Sequence, residues 1–80
     1  MTTITLQYYA QLREQAQLGN EQIDTSATTL RDLYAELRAR HGFSLSADVL
    51  KVAVNAQFSD WGRALQDGDT VVFIPPVAGG

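Results

Sequence analysis

Apolar and polar residues alternate from Thr3 to Tyr9, with Ile4, Leu6 and Tyr8 on one side and Thr5, Gln7 and Tyr9 on the other. Successive side chains of a strand point to opposite faces, so this period predicts a half-buried strand. Ala10 to Leu18 has no clean period and predicts a short irregular or one-to-two-turn helical connection, with Gly19-Asn20 as a turn that tolerates positive φ. Glu21 to Asp24 carries a single apolar residue, Ile23, and lies close enough to pair back on the first strand. The strongest element comes next: Leu30, Leu33, Tyr34, Leu37 and His41 fall at i, i+3, i+4, i+7 and i+11, one stripe of an α-helix. Thr29 as N-cap and Asp32 three residues on mark its start. Gly42 supplies the left-handed residue that ends it, and Phe43 is placed to fold back on the last turn.

Beyond a polar stretch, Leu50, Val52 and Val54 alternate with Lys51, Ala53 and Asn55, a second clear strand. Asn55-Ala56-Gln57 predicts a tight turn into a short strand around Phe58. Leu65-Gln66-Asp67-Gly68-Asp69 is a turn, and the β-branched and aromatic run Thr70 to Ile74 suits a central strand. Pro75-Pro76 ends it, because neither proline can donate to a ladder. The order predicts an α+β fold: a sheet with one main amphipathic helix packed across one face. No repeat or linker interrupts it.

Eighty residues leave room for one core, and at this size only about 60 % of the unfolded surface can be buried. A dry catalytic pocket would have to be carved from a core that cannot spare the volume, which argues against a free-standing enzyme. Hydrophobic residues make up 45 % and charged ones 19 %, which excludes disordered and low-complexity classes. With no cysteine, the chain has no disulfide, no cysteine-based metal site and no thiol nucleophile. The net charge is −3, and Arg13, Arg31, Arg38, Arg40, Lys51 and Arg63 are scattered. Nucleic-acid binding needs a basic stripe, so none is expected. No apolar run approaches a membrane span and no positive n-region precedes Ile4, so a soluble cytoplasmic protein is the expectation.

Candidate chemistry is sparse. His41, the only histidine, sits at the helix C-terminus, where a capping or surface role is expected and the dipole favours an imidazolium. Asp67 and Asp69 flank Gly68 and are expected as turn formers rather than as an acid–base pair or a metal site. Asp24, Asp48 and Asp60 belong to solvated loops, and no glycine-rich phosphate loop is present.

There remains Phe73-Ile74-Pro75-Pro76-Val77-Ala78-Gly79-Gly80. Termini commonly fray, but a rigid Pro-Pro pair directly off a central strand projects the last residues away from the domain. Gly79-Gly80, lacking Cβ atoms, lets backbone enter a narrow slot and places an unhindered α-carboxylate at its tip. That carboxylate is the one group a partner enzyme can reach and activate. Residues 1–76 are accordingly expected as the folded domain and residues 77–80 as a flexible tail.

The ending PPVAGG, the turn LQDGD, VAVNAQ in the middle and YYAQLRE near the start together resemble the small subunit of molybdopterin synthase (MoaD), a ubiquitin-like sulfur carrier with the β-grasp fold. The resemblance spans nearly the whole chain. It implies that an E1-like adenylyltransferase, consuming ATP, adenylates the Gly80 carboxylate and that a sulfurtransferase then converts it to a thiocarboxylate. The large synthase subunit, in a heterotetramer of two small and two large chains, takes the sulfur for the dithiolene of molybdopterin. The chain is then not catalytic alone and binds no cofactor or metal itself. The resemblance also implies that Tyr9, Phe58, Ile74, Pro75 and Pro76 contact the partner and that Val77, Ala78 and Gly79 form the inserted tail. Alternation puts Tyr9 and Ile74 on one outward face, to which Phe58 adds an apolar patch; partial burial of Tyr9 and Phe58 against the core is the alternative. Arg13, in the matching segment, either meets the partner or caps a turn. Two other functions stay open: sulfur carriage for thiamine or cysteine synthesis, and conjugation to lysines as a ubiquitin-like modifier. Lys51 is the only lysine through which chains of the protein could be built.

Overall fold

Ile4, Leu6 and Tyr8 are buried along β1 (Thr2–Tyr8), as their alternation requires, in the computed structural model, which describes residues 1–76. β1 is followed by α1 (Ala10–Ala16), β2 (Asn20–Thr25), α2 (Leu30–His41), β3 (Lys51–Val54), β4 (Gln57–Phe58) and β5 (Thr70–Ile74), with a 3-10 turn at Ala47–Val49. The five strands form one mixed sheet in the order β2-β1-β5-β3-β4. β1 and β5 run parallel at its centre, and every other pair is antiparallel. This is the β-grasp arrangement of a ubiquitin-like fold.

α2 lays Leu30, Leu33, Tyr34 and Leu37 against the inward side chains of the sheet, chiefly Ile4, Leu6, Tyr8, Val52, Val71 and Phe73. Its ends are closed as the sequence predicts. Thr29 Oγ1 accepts from the Asp32 N–H at 3.2 Å, satisfying one of the free donors of the first turn. Gly42 takes φ 71°, and the N–H groups of Gly42 and Phe43 both reach the Arg38 carbonyl. Phe43 folds back to a buried position and stacks on Tyr34, ring centroids 5.9 Å apart.

The connection after β1 departs from expectation in two places. Tyr9 is not a strand residue: Ala10 turns to φ 50°, and Tyr9 becomes the N-cap of a two-turn helix that buries Leu12 and Ala16. The left-handed residue that ends α1 is Gln17, at φ 64°, and not Gly19. At Gly19 an added Cβ would meet the Arg13 guanidinium at 3.4 Å, an ordinary contact with the mobile end of a side chain, so neither space nor a left-handed backbone demands the glycine.

The turn between β3 and β4 places Asn55 at φ 52° and Ala56 at φ 71°. Two consecutive positive φ angles match the twist of a two-residue hairpin, but they suit asparagine followed by glycine far better than alanine. Ala56→Gly is expected to raise stability by about 0.5–1 kcal/mol, the relief of a left-handed alanine less the entropy of an added glycine. Urea unfolding of the two proteins checks it, and a lower midpoint for the glycine variant would count against the strain.

The acidic turn before β5 is structural, as expected. Asp67 accepts from the Thr3 N–H at 2.7 Å, and Gly68, at φ 88°, donates its N–H to the Thr3 carbonyl at 2.8 Å, clasping this turn to β1. Asp69 is 4 % exposed and accepts from the Gln66 N–H, Asn55 Nδ2 and Arg63 Nη1. Asn55 in turn accepts from the Thr70 N–H at 3.0 Å. The start of β5 is therefore tied at once to β1, to the β3–β4 turn and to the loop before it.

Candidate functional site

Strand register fixes what the outer face of the sheet presents, the face turned away from α2. Gln7 lies opposite Val72, Val72 opposite Ala53, and Ala53 opposite Phe58, so these four form one row across four strands. One step toward the tail, Lys51 lies opposite Ile74. Tyr8 pairs with Phe73, and Tyr9, still extended at φ −130° and ψ 155°, comes after it on the outward side beside Ile74. Phe58 is 73 % exposed and Tyr9 51 %, while Val72 and Ile74 are half-buried. Neither Phe58 nor Tyr9 belongs to the core cluster. Tyr9 and Phe58 are therefore exposed on the outward side rather than buried against the core. With strands about 4.8 Å apart, Phe58 stands roughly 10 Å across the face from Val72.

Pro75 is half-buried and Pro76 exposed at the end of this patch. Their lack of N–H donors stops β5 from continuing along either neighbour. The remaining expected site residues, Val77, Ala78, Gly79 and Gly80, lie outside the described residues. The root from which they extend is firmly held. Phe73 is fully buried, stacks on Trp61 at 5.8 Å with planes 7° apart and meets Tyr34 at 5.0 Å. β5 is the middle strand of the sheet, so the segment leading to Pro75 has the least freedom to shift.

His41 does more than cap. Its Nε2 lies 2.6 Å from Glu21 Oε2, and the same oxygen accepts from the Tyr8 hydroxyl at 2.6 Å. A carboxylate oxygen only accepts, so Nε2 carries the hydrogen in this contact. The expected surface role is corrected: His41 is mostly buried and pins the end of α2 to β2. The partner stands twenty residues away in sequence on a strand whose inward position would ordinarily be apolar, which is why no local pattern announced it. Burial alone would raise the Glu21 carboxyl, but the hydrogen bonds from Tyr8 and His41 outweigh it and hold the pKa below the ordinary value. Burial, together with the bond to Glu21, pushes the Tyr8 phenol up, so it remains a neutral donor. A folded-state pKa below the unfolded one stabilises above the ordinary value of 4.5 and loses that contribution as pH falls through the folded value. Glu21→Gln is expected to cost about 1–2 kcal/mol at neutral pH. It should also flatten the loss of thermal stability expected of the wild type in acid, and an unchanged acid profile would mean that Glu21 does not govern it.

The Arg13 backbone carbonyl closes the turn that ends α1, accepting from the Gln17 N–H at 2.9 Å. Its side chain covers Gly19. Among the described residues there is no cluster of three or more metal-ligating side chains. No described helix is long and apolar enough to cross a membrane.

The sequence profile of the ThiS family matches residues 6–80. Comparison with proteins of curated function gives no match. Among solved structures, one from Pyrococcus furiosus assigned to molybdopterin converting factor, subunit 1, is 29 % identical with a TM-score of 0.79, covering 96 % of this chain and 100 % of that one. SAMP1 of Haloferax volcanii is 25 % identical with a TM-score of 0.80, covering 98 % and 99 %. A chain in the complex of subunits 1 and 2 of the molybdopterin-converting factor from Helicobacter pylori is 26 % identical with a TM-score of 0.69, covering 99 % and 100 %.

Proposed function

The chain belongs to the ThiS family of ubiquitin-like sulfur carriers, and from that membership we propose that it is the sulfur-carrying small subunit of a molybdopterin synthase. The choice is supported by the likeness, at 29 % and 26 % identity, to two solved structures of the molybdopterin-converting factor, one of them a complex of its subunits 1 and 2. The apolar outward patch of Tyr9, Ile74 and Phe58 at the root of the tail supports it, as a face shaped to meet another protein.

In this reading the Gly80 carboxylate is the working group. A carboxylate is a poor electrophile until one oxygen becomes a leaving group. An E1-like adenylyltransferase joins it to AMP from ATP, releasing pyrophosphate. A sulfurtransferase then supplies sulfur, AMP departs and a thiocarboxylate remains. The tail, leading from Pro75 and Pro76 through Val77, Ala78 and Gly79, enters the large subunit, where sulfur passes to the dithiolene of molybdopterin shielded from water. The domain leaves ATP to the activating enzyme and serves to align the tail.

Intact-mass measurement after incubation with ATP, the activating enzyme and a sulfur donor tests this directly. Exchange of one oxygen for sulfur is expected, and an unchanged mass overturns it. Mixing the loaded protein with a molybdopterin synthase large subunit then tests the pathway. Failure to form dithiolene, with transfer to a thiazole or cysteine synthase instead, would redirect the function within the family. The likeness to SAMP1 favours a second reading, in which the activated Gly80 is joined to lysines of other proteins. Conjugates of higher mass in the same incubation, supplied with cell protein, would distinguish it.

A further inference from the structure

The outward positions of the five strands carry two charged side chains, and these stand at opposite corners of the face. Asp24 lies on the edge strand β2 opposite Thr3, whose hydroxyl donates to it at 2.6 Å. Lys51 lies on β3 opposite Ile74, at the corner from which Pro75 leads off. The positions between them, including Thr5, Gln7, Val72 and Ala53, are uncharged. Lys51 is exposed and takes part in none of the ion pairs or side-chain hydrogen bonds formed among the described residues. It also shares with Phe58 and Trp61 the walls of a cleft of about 460 Å³, which opens at the edge of β3 beyond the end of the two-residue β4. The cleft thus has aromatic walls and a cation.

We propose that Lys51 orients docking on the large synthase subunit, pairing with a carboxylate borne on an apolar segment of that subunit, with the stem of that acid lodged beside Phe58. This rests on the sulfur-carrier reading above and names the chemistry of its partner. A protein that covers the apolar patch strips water from the ammonium group, and a buried cation without a counter-charge is strongly unfavourable. A carboxylate of the partner at this corner supplies the counter-charge that such burial calls for. The chain carries a net charge of −3, so an acidic partner segment is repelled by most of the surface and welcomed here. Turned by half a revolution on the face, the same segment would meet Asp24, carboxylate against carboxylate. One favourable and one repulsive corner select the orientation in which Ile74 and Pro75 point into the partner's site.

The test compares wild type, Lys51→Glu and Lys51→Met for binding to the molybdopterin synthase large subunit of the source organism, by titration calorimetry at low and high salt. The Lys51 side chain forms no hydrogen bond or ion pair among the described residues, so all three proteins are expected to melt within a few degrees of one another. Lys51→Glu is expected to weaken binding at least tenfold at low salt, and the gap is expected to narrow as salt screens the charges. Lys51→Met, which keeps the stem and loses the charge, is expected to fall between the two. Undiminished binding by Lys51→Glu, with the wild type bound, overturns the role of Lys51 alone. Failure of the wild type to bind the large subunit overturns both this inference and the function on which it rests.

Discussion

Deletion of Gly80 is expected to abolish sulfur loading while leaving the melting temperature nearly unchanged. Shortening the tail by one residue withdraws the terminal carboxylate by about 3.3–3.6 Å. Since a misplacement of about 1 Å at a reacting centre costs on the order of 10²-fold in rate, the adenylating step should become undetectable in an intact-mass experiment that converts the wild type fully. Stability should persist because the core cluster runs from Ile4 to Phe73 and the last strand ends at Ile74. A variant that still exchanges oxygen for sulfur would dismiss Gly80 as the loaded group. A steep fall in melting temperature would instead show the deleted residue to be part of the fold.

The largest effect on stability is expected from Phe73→Ala. Phe73 is fully buried, faces Val52 and Tyr8 in the neighbouring strands and contacts the rings of both Tyr34 and Trp61. Truncating a buried phenylalanine costs about 3–5 kcal/mol. A domain of this length has in total only about 4–12 kcal/mol to lose. Phe73→Ala should therefore be largely unfolded in mild denaturant, and urea titration reads the shift. A loss below about 1 kcal/mol would mean that the site collapses around the gap far better than the stacked Trp61 and tilted Tyr34 rings suggest. Loading of this variant should fail along with folding, whereas deletion of Gly80 separates the two.

Much of this fold is legible in the chain because its signals are local. The stripe from Leu30 to His41, the Thr29 cap and the Gly42 stop need only neighbours within a few turns, and α2 begins and ends where they place it. The alternation in β1 and β5 gives the inward and outward sets correctly, and with them the outward patch. The misses are contacts between distant segments. The Tyr8–Glu21–His41 linkage joins three elements through one carboxylate oxygen. Trp61 lies in an irregular stretch with no period to betray it, yet it completes the aromatic row under β5. The positive φ at Gln17 runs against residue preference, and the nearby glycine drew the expectation to itself. Of the candidate site, the pattern supplies the patch at Tyr9, Ile74 and Phe58, while the significance of Lys51 emerges only when register sets it at a corner opposite Asp24.

The central place of β5 also bears on how the protein is made. A ribosome delivers β5 after all the other strands, yet it is the seam between β2-β1 on one side and β3-β4 on the other. Until Val71 and Phe73 emerge, the two halves of the sheet share no edge and α2 has only half a surface to cover. A nascent chain interrupted before that point has no closed sheet to display. A domain that has closed has, by its construction, been translated to the threshold of the tail.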